Sequence, residues 1–388
     1  MFLPLLKTER QKRIYQLLDE REEAFKQCGA KADAEGSFPY ANIEELKKIG
    51  FTSLTVPKEF GGEEIPLYEM VLYLEKLGQA DGSTALGLGW HLGIMMDLAD
   101  RRPWQPDIYK QVCEHAVKEG ALLNRAATEP KTGSPTRGGK PETTAVKQAD
   151  GSWKITGRKT FTTMSPVLDY FLVAATDDAT GDVNEYLIPR QVHGVEIEET
   201  WDSIAMHGTG SHDLVLKDVV VPAHCLVEAR RNERKARPSG WLLHIPAVYS
   251  GIALAARKEA LSFAVAYSPN SIVGTISELP NVRRLIGEME VKLHQARKIL
   301  FATAQKWDEE PELRNEMIAE LQVAKYAVTN TAIEVVDLAM RIVGARSLSA
   351  KNPLQRYYRD VRAGLHNPPM DDAVLAMLAE QAIQSVKE

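Results

Sequence analysis

The spacing of apolar residues changes twice along the chain and divides it into three parts. Up to residue 120, and again from Trp241 onward, apolar residues recur every three or four positions among charged ones, which predicts amphipathic helices. Between residues 121 and 236 short runs rich in β-branched and aromatic residues are separated by turn residues, which predicts antiparallel strands. The pattern therefore predicts an α+β fold with an N-terminal helical domain (1–120), a middle domain of antiparallel strands that form a small barrel or sandwich (121–236) and a C-terminal bundle of three or four helices (237–388).

Turn residues and capping signals set the limits of several predicted helices. Asn42 with Glu45 three positions later resembles a capping box, and Gly50 would end that helix. Pro106 stands at the tolerated first turn of another helix. In the bundle, the third helix is interrupted at Gly344 and Pro353. The predicted bundle helices are Ala247–Tyr267, Pro280–Trp307, Leu313–Val343 and Asp371–Val386.

Composition excludes several functional classes. The 388 residues are 44% hydrophobic and carry a net charge of −6, which argues against a nucleic-acid partner. Three distant cysteines form neither a disulfide framework nor a metal motif, and the histidines lack metal-ligand spacing, so no metal is expected. Because no apolar run is long enough for a signal core or a membrane span, we expect a cytoplasmic protein.

Five segments together resemble the acyl-CoA dehydrogenase superfamily across nearly the whole chain. Each one alone is weak, but their shared order along the sequence is specific. They are VPKEFGG (56–62), TEPKTGS (128–134), GRKTFTT (157–163), WDSIAMHGTGSHDLVLKDVVVP (201–222) and RIVGARSLSAKNPLQRYYRDVR (341–362). The resemblance implies the family's three-domain fold, an N-terminal helical domain, a middle antiparallel β-barrel and a C-terminal four-helix bundle. It also implies a bound FAD.

The resemblance also implies which residues would surround the flavin ring. Ala127, Thr128 and Ser134 would lie beside it, Thr163 would be a hydroxyl donor near its edge, and Phe161 would pack on its face. Fixed polar groups of this kind tune a flavin, while the cofactor itself does the chemistry. The alternative is that these hydroxyls are ordinary turn and strand residues and that Phe161 belongs to the apolar core.

The positions that anchor the rest of FAD depart from the family pattern. Where relatives carry an R-x-Q-F-G run, this chain reads NSIVG, Asn270 to Gly274. The Q-x-x-G-G motif is replaced by a segment that begins at Arg341 and retains Gly344. Arg341 would still reach a pyrophosphate, but the contacts to FAD are expected to be rebuilt or weakened.

The carboxylate that removes the substrate's α-proton in acyl-CoA dehydrogenases is missing from both of its usual places. One place falls at Pro368 and the other around Leu243 to Ile245, in WLLHIP. Proline also lacks the backbone N–H with which relatives polarise the thioester carbonyl. Asp371 is the candidate for a displaced base, with Asp372 beside it. The alternative is that both are acidic residues favoured at the start of a helix.

A second branch of the superfamily, the flavin monooxygenases of the dibenzothiophene-desulfurisation type, resembles the chain at these same departures. Their LHDP-like loop matches Leu365 to Pro368, which makes His366 a catalytic candidate, and a GYH-like segment does the same for His91. An imidazole near a flavin can donate a hydrogen bond or move a proton near neutral pH. The alternatives are that His366 only ends a helix and that His91 is a core histidine bonded to a backbone carbonyl.

Three functions follow from these resemblances. The first is an FAD-dependent oxidoreductase of fatty acid metabolism that oxidises an acyl-CoA at its α,β carbons with a displaced base. The alternative is a two-component monooxygenase that receives reduced flavin or FMN from a reductase and forms a C4a-hydroperoxide to oxygenate a small apolar or aromatic substrate. A third is a non-catalytic flavin- or acyl-CoA-binding relative. The expected partners are an electron-transfer protein or flavin reductase, and relatives imply a homotetramer.

Overall fold

In the described part of the chain six α-helices precede the sheet, and several begin at residues suited to cap them. The computed structural model describes residues 6–133, 139–230 and 238–387. The Thr8 side chain forms a capping box with Gln11, and Asp81 caps the fifth helix by accepting from the Thr84 N–H. The helices are α1 (Glu9–Asp19), α2 (Glu22–Glu35), α3 (Tyr40–Lys48), α4 (Leu67–Ala80), α5 (Gly82–Arg101) and α6 (Pro106–Glu119).

The predicted cap at Asn42 is wrong. Helix α3 begins at Tyr40 after Pro39, so Asn42 lies inside its first turn. The Asn42 side chain is buried, and its Nδ2 donates to the Phe25 carbonyl at 3.2 Å and to Thr84 Oγ1 at 3.0 Å. A buried amide satisfied by partners distant in sequence has replaced the local capping role that the spacing indicated.

The middle part forms one mixed sheet. Its strands are β1 (Leu123–Ala126), β2 (Thr144–Lys147), β3 (Trp153–Lys159), β4 (Tyr170–Asp177), β5 (Val183–Pro189), β6 (Val195–Glu198), β7 (Asp213–Val221) and β8 (Leu226–Arg230). They are ordered β6-β7-β3-β2-β4-β5-β8, with β1 also paired to β4. The expectation of antiparallel strands holds for five of these seven strand pairs, but β1 and β2 both pair parallel to β4. Every residue of β4 is buried, and such continuous burial is typical of parallel strands.

The C-terminal part is a helical bundle. Its helices are α7 (His244–Ala266), α8 (Pro280–Glu309), α9 (Ile318–Val343), α10 (Pro353–Ala363) and α11 (Asp371–Gln384). The predicted interruption of the third bundle helix is present, since α9 ends before Gly344 and Pro353 begins α10. Helix α9 begins later than predicted because residues Pro311–Glu316 form a separate 3-10 turn. None of the helices in the described ranges is long and apolar enough to cross a bilayer.

Helices α4 and α7 pack closely and join the N-terminal domain to the bundle. A methyl group at Gly78 would lie 2.7 Å from the Val248 carbonyl oxygen, and one at Gly251 would lie 2.4 Å from that of Glu75. The Glu75 carboxylate also accepts from Arg297 of α8 at 2.8 Å, in a buried ion pair. The domain limits at residues 120 and 236 remain a proposal. The first precedes β1, and the second lies outside the described residues.

Candidate active site

The TEPKTGS loop is held by one buried carboxylate. Glu129 is 3% exposed, and it accepts hydrogen bonds from Lys159 Nζ and Thr143 Oγ1, both at 2.6 Å. The backbone N–H groups of Glu142 and Thr143 donate to it as well. Burial alone would raise the pKa of Glu129, but Lys159 and Thr143 outweigh it and hold that pKa at about 2. Sequence reasoning missed this ion pair, although both residues lie in quoted motifs.

This loop lies against the segment that follows β3. The Thr128 carbonyl accepts from the Thr160 N–H at 2.9 Å, which brings Ala127 and Thr128 beside residues 160–163. Both residues are half-buried. Ser134, the third predicted residue of the loop, lies outside the described residues. The structure thus places two of the predicted flavin contacts next to the segment that carries Phe161 and Thr163.

Phe161 presents an open aromatic ring. It is 60% exposed, so it is not a core residue, and its φ of +55° is a left-handed conformation that is costly for any residue with a Cβ. Trp201 packs edge-to-face against it, with ring centroids 5.9 Å apart. An exposed aromatic ring held in this way suits stacking on a flat, apolar ligand.

Thr163 is fixed through both its backbone and its hydroxyl. Asn124 Nδ2 donates to the Thr163 carbonyl at 3.0 Å, and Thr163 Oγ1 lies 3.0 Å from Ser211 Oγ. Ser211 in turn lies 2.9 Å from Thr209 Oγ1. The GTGS segment of the fourth quoted motif therefore contacts the end of the GRKTFTT segment.

His91 is fully buried and has a hydrogen-bond partner at each ring nitrogen. Its Nδ1 accepts from the Leu123 N–H at 3.1 Å, so the proton must be on Nε2, which lies 2.8 Å from the Thr52 carbonyl oxygen. Burial lowers the pKa of His91 to about 4. These contacts match the core-histidine alternative, and they tie α5 to the start of β1.

His366 is exposed in the loop after α10. Next to it, Asn367 Oδ1 accepts from the Tyr249 hydroxyl at 2.6 Å. Gly364 allows the chain to pass the Tyr249 ring, since a methyl group there would lie 3.1 Å from it. The turn thus partly buries the Asn367 contact and leaves the imidazole of His366 accessible, with Pro368 following.

Asp371 is engaged elsewhere. It begins α11, and its carboxylate accepts from Lys325 Nζ at 3.0 Å and from Asn330 Nδ2 at 2.8 Å, both on α9. The Lys325 side chain is 2% exposed, and burial lowers its pKa. Asp371 therefore neutralises a buried ammonium, which matches the alternative to a catalytic base.

The two residues predicted to hold the remainder of FAD lie at the end of α9. Arg341 has a side chain that is 64% exposed and forms an ion pair with Asp337 at 2.6 Å. Gly344 has φ +70°, and a methyl group there would meet nothing within 4 Å. Their roles towards a cofactor remain predictions.

His244 is a buried polar residue that sequence reasoning passed over. It is the first residue of α7, it is fully buried, and its ring packs against those of Trp90 and Trp241. Its Nδ1 bonds the Trp241 carbonyl at 2.9 Å, while its Nε2 has no hydrogen-bond partner within the described part of the chain. Burial lowers its pKa to about 4. The sequence feature that could have identified it is a single histidine within the apolar stretch WLLHIP.

Three models of the acyl-CoA dehydrogenase family match the chain. The N-terminal domain model matches residues 8–101, the middle domain model residues 124–219 and the C-terminal domain model residues 247–365. The fold and these matches define a flavin-dependent oxidoreductase. The chain belongs to the acyl-CoA dehydrogenase family, whose members use FAD, and the predicted fold class is confirmed.

Relatives within the family differ in chemistry. YdbM of Bacillus subtilis (strain 168), provisionally named an acyl-CoA dehydrogenase, is 50% identical over 98% of this chain and 99% of its own length. L-evernosamine nitrososynthase of a Micromonospora species is 29% identical over 86% of this chain and 81% of its own. The complex of TdsC from Paenibacillus sp. A11-2 with FMN and indole has a TM-score of 0.81 at 25% identity, covering 92% of this chain and 94% of that one.

Proposed function

We propose that the protein is a reduced-flavin-dependent monooxygenase that acts on a small, largely apolar substrate. The main observation in favour of this proposal is that neither of the two positions at which dehydrogenases of the family have their catalytic carboxylate holds one here. Pro368 occupies one and His244 the other, and the nearby Asp371 is bound to Lys325. A thioester α-proton needs a base close to it, and neither place offers a carboxylate.

The residues around Thr163 fit a flavin ring. Phe161 offers an exposed aromatic ring, Thr163 and Ser211 offer hydroxyls, and Ala127 and Thr128 line the adjoining loop. Reduced flavin, when bound, supplies two electrons to molecular oxygen, so that one oxygen atom enters the substrate and the other leaves as water with two protons. The protein's own task is to orient the substrate and to handle protons.

His366 is the proton-handling residue in this proposal. It is exposed at the turn after α10, beside the fixed Asn367. An imidazole can accept and release a proton, as oxygen transfer with release of water requires. His91 has a different role, since both of its nitrogens are occupied and it positions β1.

Some of the more distant relatives support the same choice. One is L-evernosamine nitrososynthase, and another is the dibenzothiophene monooxygenase TdsC, which forms a complex with FMN and indole. Arg341 is exposed and the NSIVG segment replaces the family's R-x-Q-F-G run, so we expect weak binding of the adenine part of FAD. FMN or FAD would then be exchanged with a flavin reductase. A homotetramer remains a prediction for this chain, to be measured by light scattering.

A second candidate is the acyl-CoA dehydrogenase reaction at the α,β carbons, with an electron-transfer protein as partner. The specific observation in its favour is the 50% identity to YdbM over nearly the whole chain. It would require a base other than a carboxylate at the two usual places. His244, whose Nε2 bonds to none of the residues that the structure describes, is then the residue to test.

One pair of measurements separates the two candidates. With a flavin reductase, NADH, FMN and indole, the monooxygenase should incorporate ¹⁸O from ¹⁸O₂ into indole and release less hydrogen peroxide than free FMN does. His366→Ala should restore peroxide release, whereas the exposed His224→Ala should not. Anaerobic bleaching of the bound flavin by butyryl- or octanoyl-CoA, without any oxygen transfer, would replace the proposal with the dehydrogenase.

A further inference from the structure

Three hydroxyl groups form a continuous chain that ends on a backbone carbonyl. Thr209 Oγ1 lies 2.9 Å from the Met206 carbonyl oxygen, Ser211 Oγ lies 2.9 Å from Thr209 Oγ1, and Thr163 Oγ1 lies 3.0 Å from Ser211 Oγ. Thr209 and Ser211 are 2% and 5% exposed, so water has little access to the middle of this chain. Thr163 is its half-buried end, beside Phe161.

The carbonyl fixes the direction of every hydrogen bond in the chain. A carbonyl oxygen can only accept, so the single hydroxyl proton of Thr209 is donated to Met206. Thr209 must then accept from Ser211, which uses the only proton of Ser211. Ser211 must therefore accept from Thr163. The hydroxyl proton of Thr163 is directed into the protein, and only its lone pairs remain available to a ligand.

The end of the chain is held firmly in place. Met206 is buried with φ +55°, its N–H donates to the buried carboxylate of Asp360 at 2.7 Å, and its carbonyl also accepts from Trp201 Nε1 at 3.1 Å. Contacts on both sides of this residue keep its carbonyl pointed at Thr209. Reversing the chain would bring two oxygen atoms together without a proton between them.

We call the hydrogen-bonded hydroxyl groups of Thr163, Ser211 and Thr209 the hydroxyl relay. We infer that this relay makes the flavin site prefer reduced over oxidised flavin. The inner ring nitrogens of an oxidised flavin accept hydrogen bonds, and two-electron reduction adds N–H groups that donate them. A Thr163 hydroxyl that can only accept a hydrogen bond from a ligand is complementary to the N–H groups of the reduced flavin. This is contrary to the donor role that the family resemblance implies for Thr163. The inference deepens the proposed function and rests on its flavin site, because such a monooxygenase must capture flavin that is already reduced.

The test compares the dissociation constants of oxidised FMN and of dithionite-reduced FMN, measured under argon by ultrafiltration. The native protein should bind reduced FMN more tightly. Ser211→Ala removes the acceptor for the Thr163 proton, which is then free to donate to oxidised FMN. The Thr163 lone pairs still accept from reduced FMN, so the one hydrogen bond gained by oxidised FMN should lower the preference about three- to tenfold.

Ser165→Ala is the matched control. Ser165 Oγ is buried nearby and donates to the Gly210 carbonyl at 2.8 Å, outside the relay, so this variant should keep the native ratio. Thr209→Val, which keeps the side-chain shape but removes the anchoring hydroxyl, should lower the ratio as Ser211→Ala does. It also covers the case in which Ser211→Ala fails to fold.

The possible outcomes are distinguishable. Equal binding of both forms by the native protein, or an unchanged ratio in a Ser211→Ala or Thr209→Val protein that binds FMN, overturns the inference. The monooxygenase proposal would survive that result if ¹⁸O transfer is observed. A native ratio that favours reduced FMN and falls in both variants, without any ¹⁸O transfer, would leave the relay established and remove the proposed reaction. Binding of neither form removes the flavin site and both proposals.

Discussion

Lys159 Nζ lies 2.6 Å from Glu129 Oε1, and the two side chains are 0% and 3% exposed. The pair joins the end of β3 to the TEPKTGS loop, so the two segments assigned to the flavin are fixed to each other by a buried charge. An ion pair of this kind does not add much net stability, but removing one partner leaves an uncompensated charge in the interior.

We expect Lys159→Met to lower the free energy of unfolding by about 3–5 kcal/mol, because Glu129 would remain buried without its cation. Urea denaturation measures the change. Lys131→Met is the control, since Lys131 is exposed and lies 3.4 Å from the exposed Glu142, so it should cost less than about 1 kcal/mol. Equal losses in the two variants would show that the Glu129 carboxylate is not isolated from water.

Two buried histidines should make the protein less stable in mild acid. The pKa values of His91 and His244 are both lowered to about 4, so the folded state binds fewer protons than the unfolded chain. Each neutral histidine contributes about 3 kcal/mol to the free energy of unfolding. This contribution is fully present above about pH 6.5, the pKa of histidine in the unfolded chain, and is lost as the pH falls to about 4. Asp360 opposes them, since burial raises its pKa to about 6 and stabilises the fold as pH falls through that value.

Urea midpoints measured at about pH 7 and about pH 5 check this balance. The native protein should lose stability over that interval, because two histidines outweigh one carboxyl group. His91→Gln should reduce the loss, although it is less stable at neutral pH, while the exposed His224→Ala should not change it. A loss that is the same in all three proteins would contradict the assignment to His91.

Asp371 should prove to be a structural residue. Asp371→Asn leaves the buried Lys325 without a carboxylate, so we expect a loss of about 3 kcal/mol in unfolding free energy. Asp372→Asn alters the exposed neighbour and should change stability by less than about 0.5 kcal/mol. Turnover by the folded Asp371 variant should stay near the native rate when measured well below its melting temperature. Turnover abolished in a fully folded variant would restore Asp371 as a base.

A pair of glycine substitutions tests the packing of α5 on α7. A methyl group at Gly89 would lie 2.6 Å from Cδ2 of His244, so Gly89→Ala should cost about 1–3 kcal/mol through overpacking. Gly287 lies in α8, and a methyl group there would meet nothing within 4 Å, so Gly287→Ala should stabilise by about 0.5–1 kcal/mol. Thermal melts of both variants give the comparison. A Gly89→Ala protein that melts with or above the native one would mean that the His244 ring can move aside.

The sequence predicted best the features that are encoded locally. Apolar spacing located the bundle helices, with the start of α8 at Pro280 predicted correctly. Pairings between distant segments could not be predicted. The capping signal at Asn42 was a coincidence of spacing, because its amide is satisfied by Phe25 and Thr84. The parallel pairing of β1 with β4 depends on a crossover that no local pattern specifies.

The candidate site shows the same division. Motifs identified Thr128 and Thr163, and the structure places their segments together. The direction of the hydroxyl relay was not predictable, because it depends on Met206, which lies more than forty residues after Thr163 in the sequence. For His91 the residue type left a catalytic role and a core role open, and only the two backbone partners distinguish them.

The close approach of α4 and α7 at Gly78 and Gly251 affects how the protein opens during local and global unfolding. Two helices whose backbones are in contact cannot move apart slightly and keep their packing. They lose most of their packing at once, so their slowest-exchanging amides should open only in global unfolding. The first and last thirds of the polypeptide would then unfold as one cooperative body. Excision of the leading helices should yield an aggregating remnant rather than a smaller folded protein.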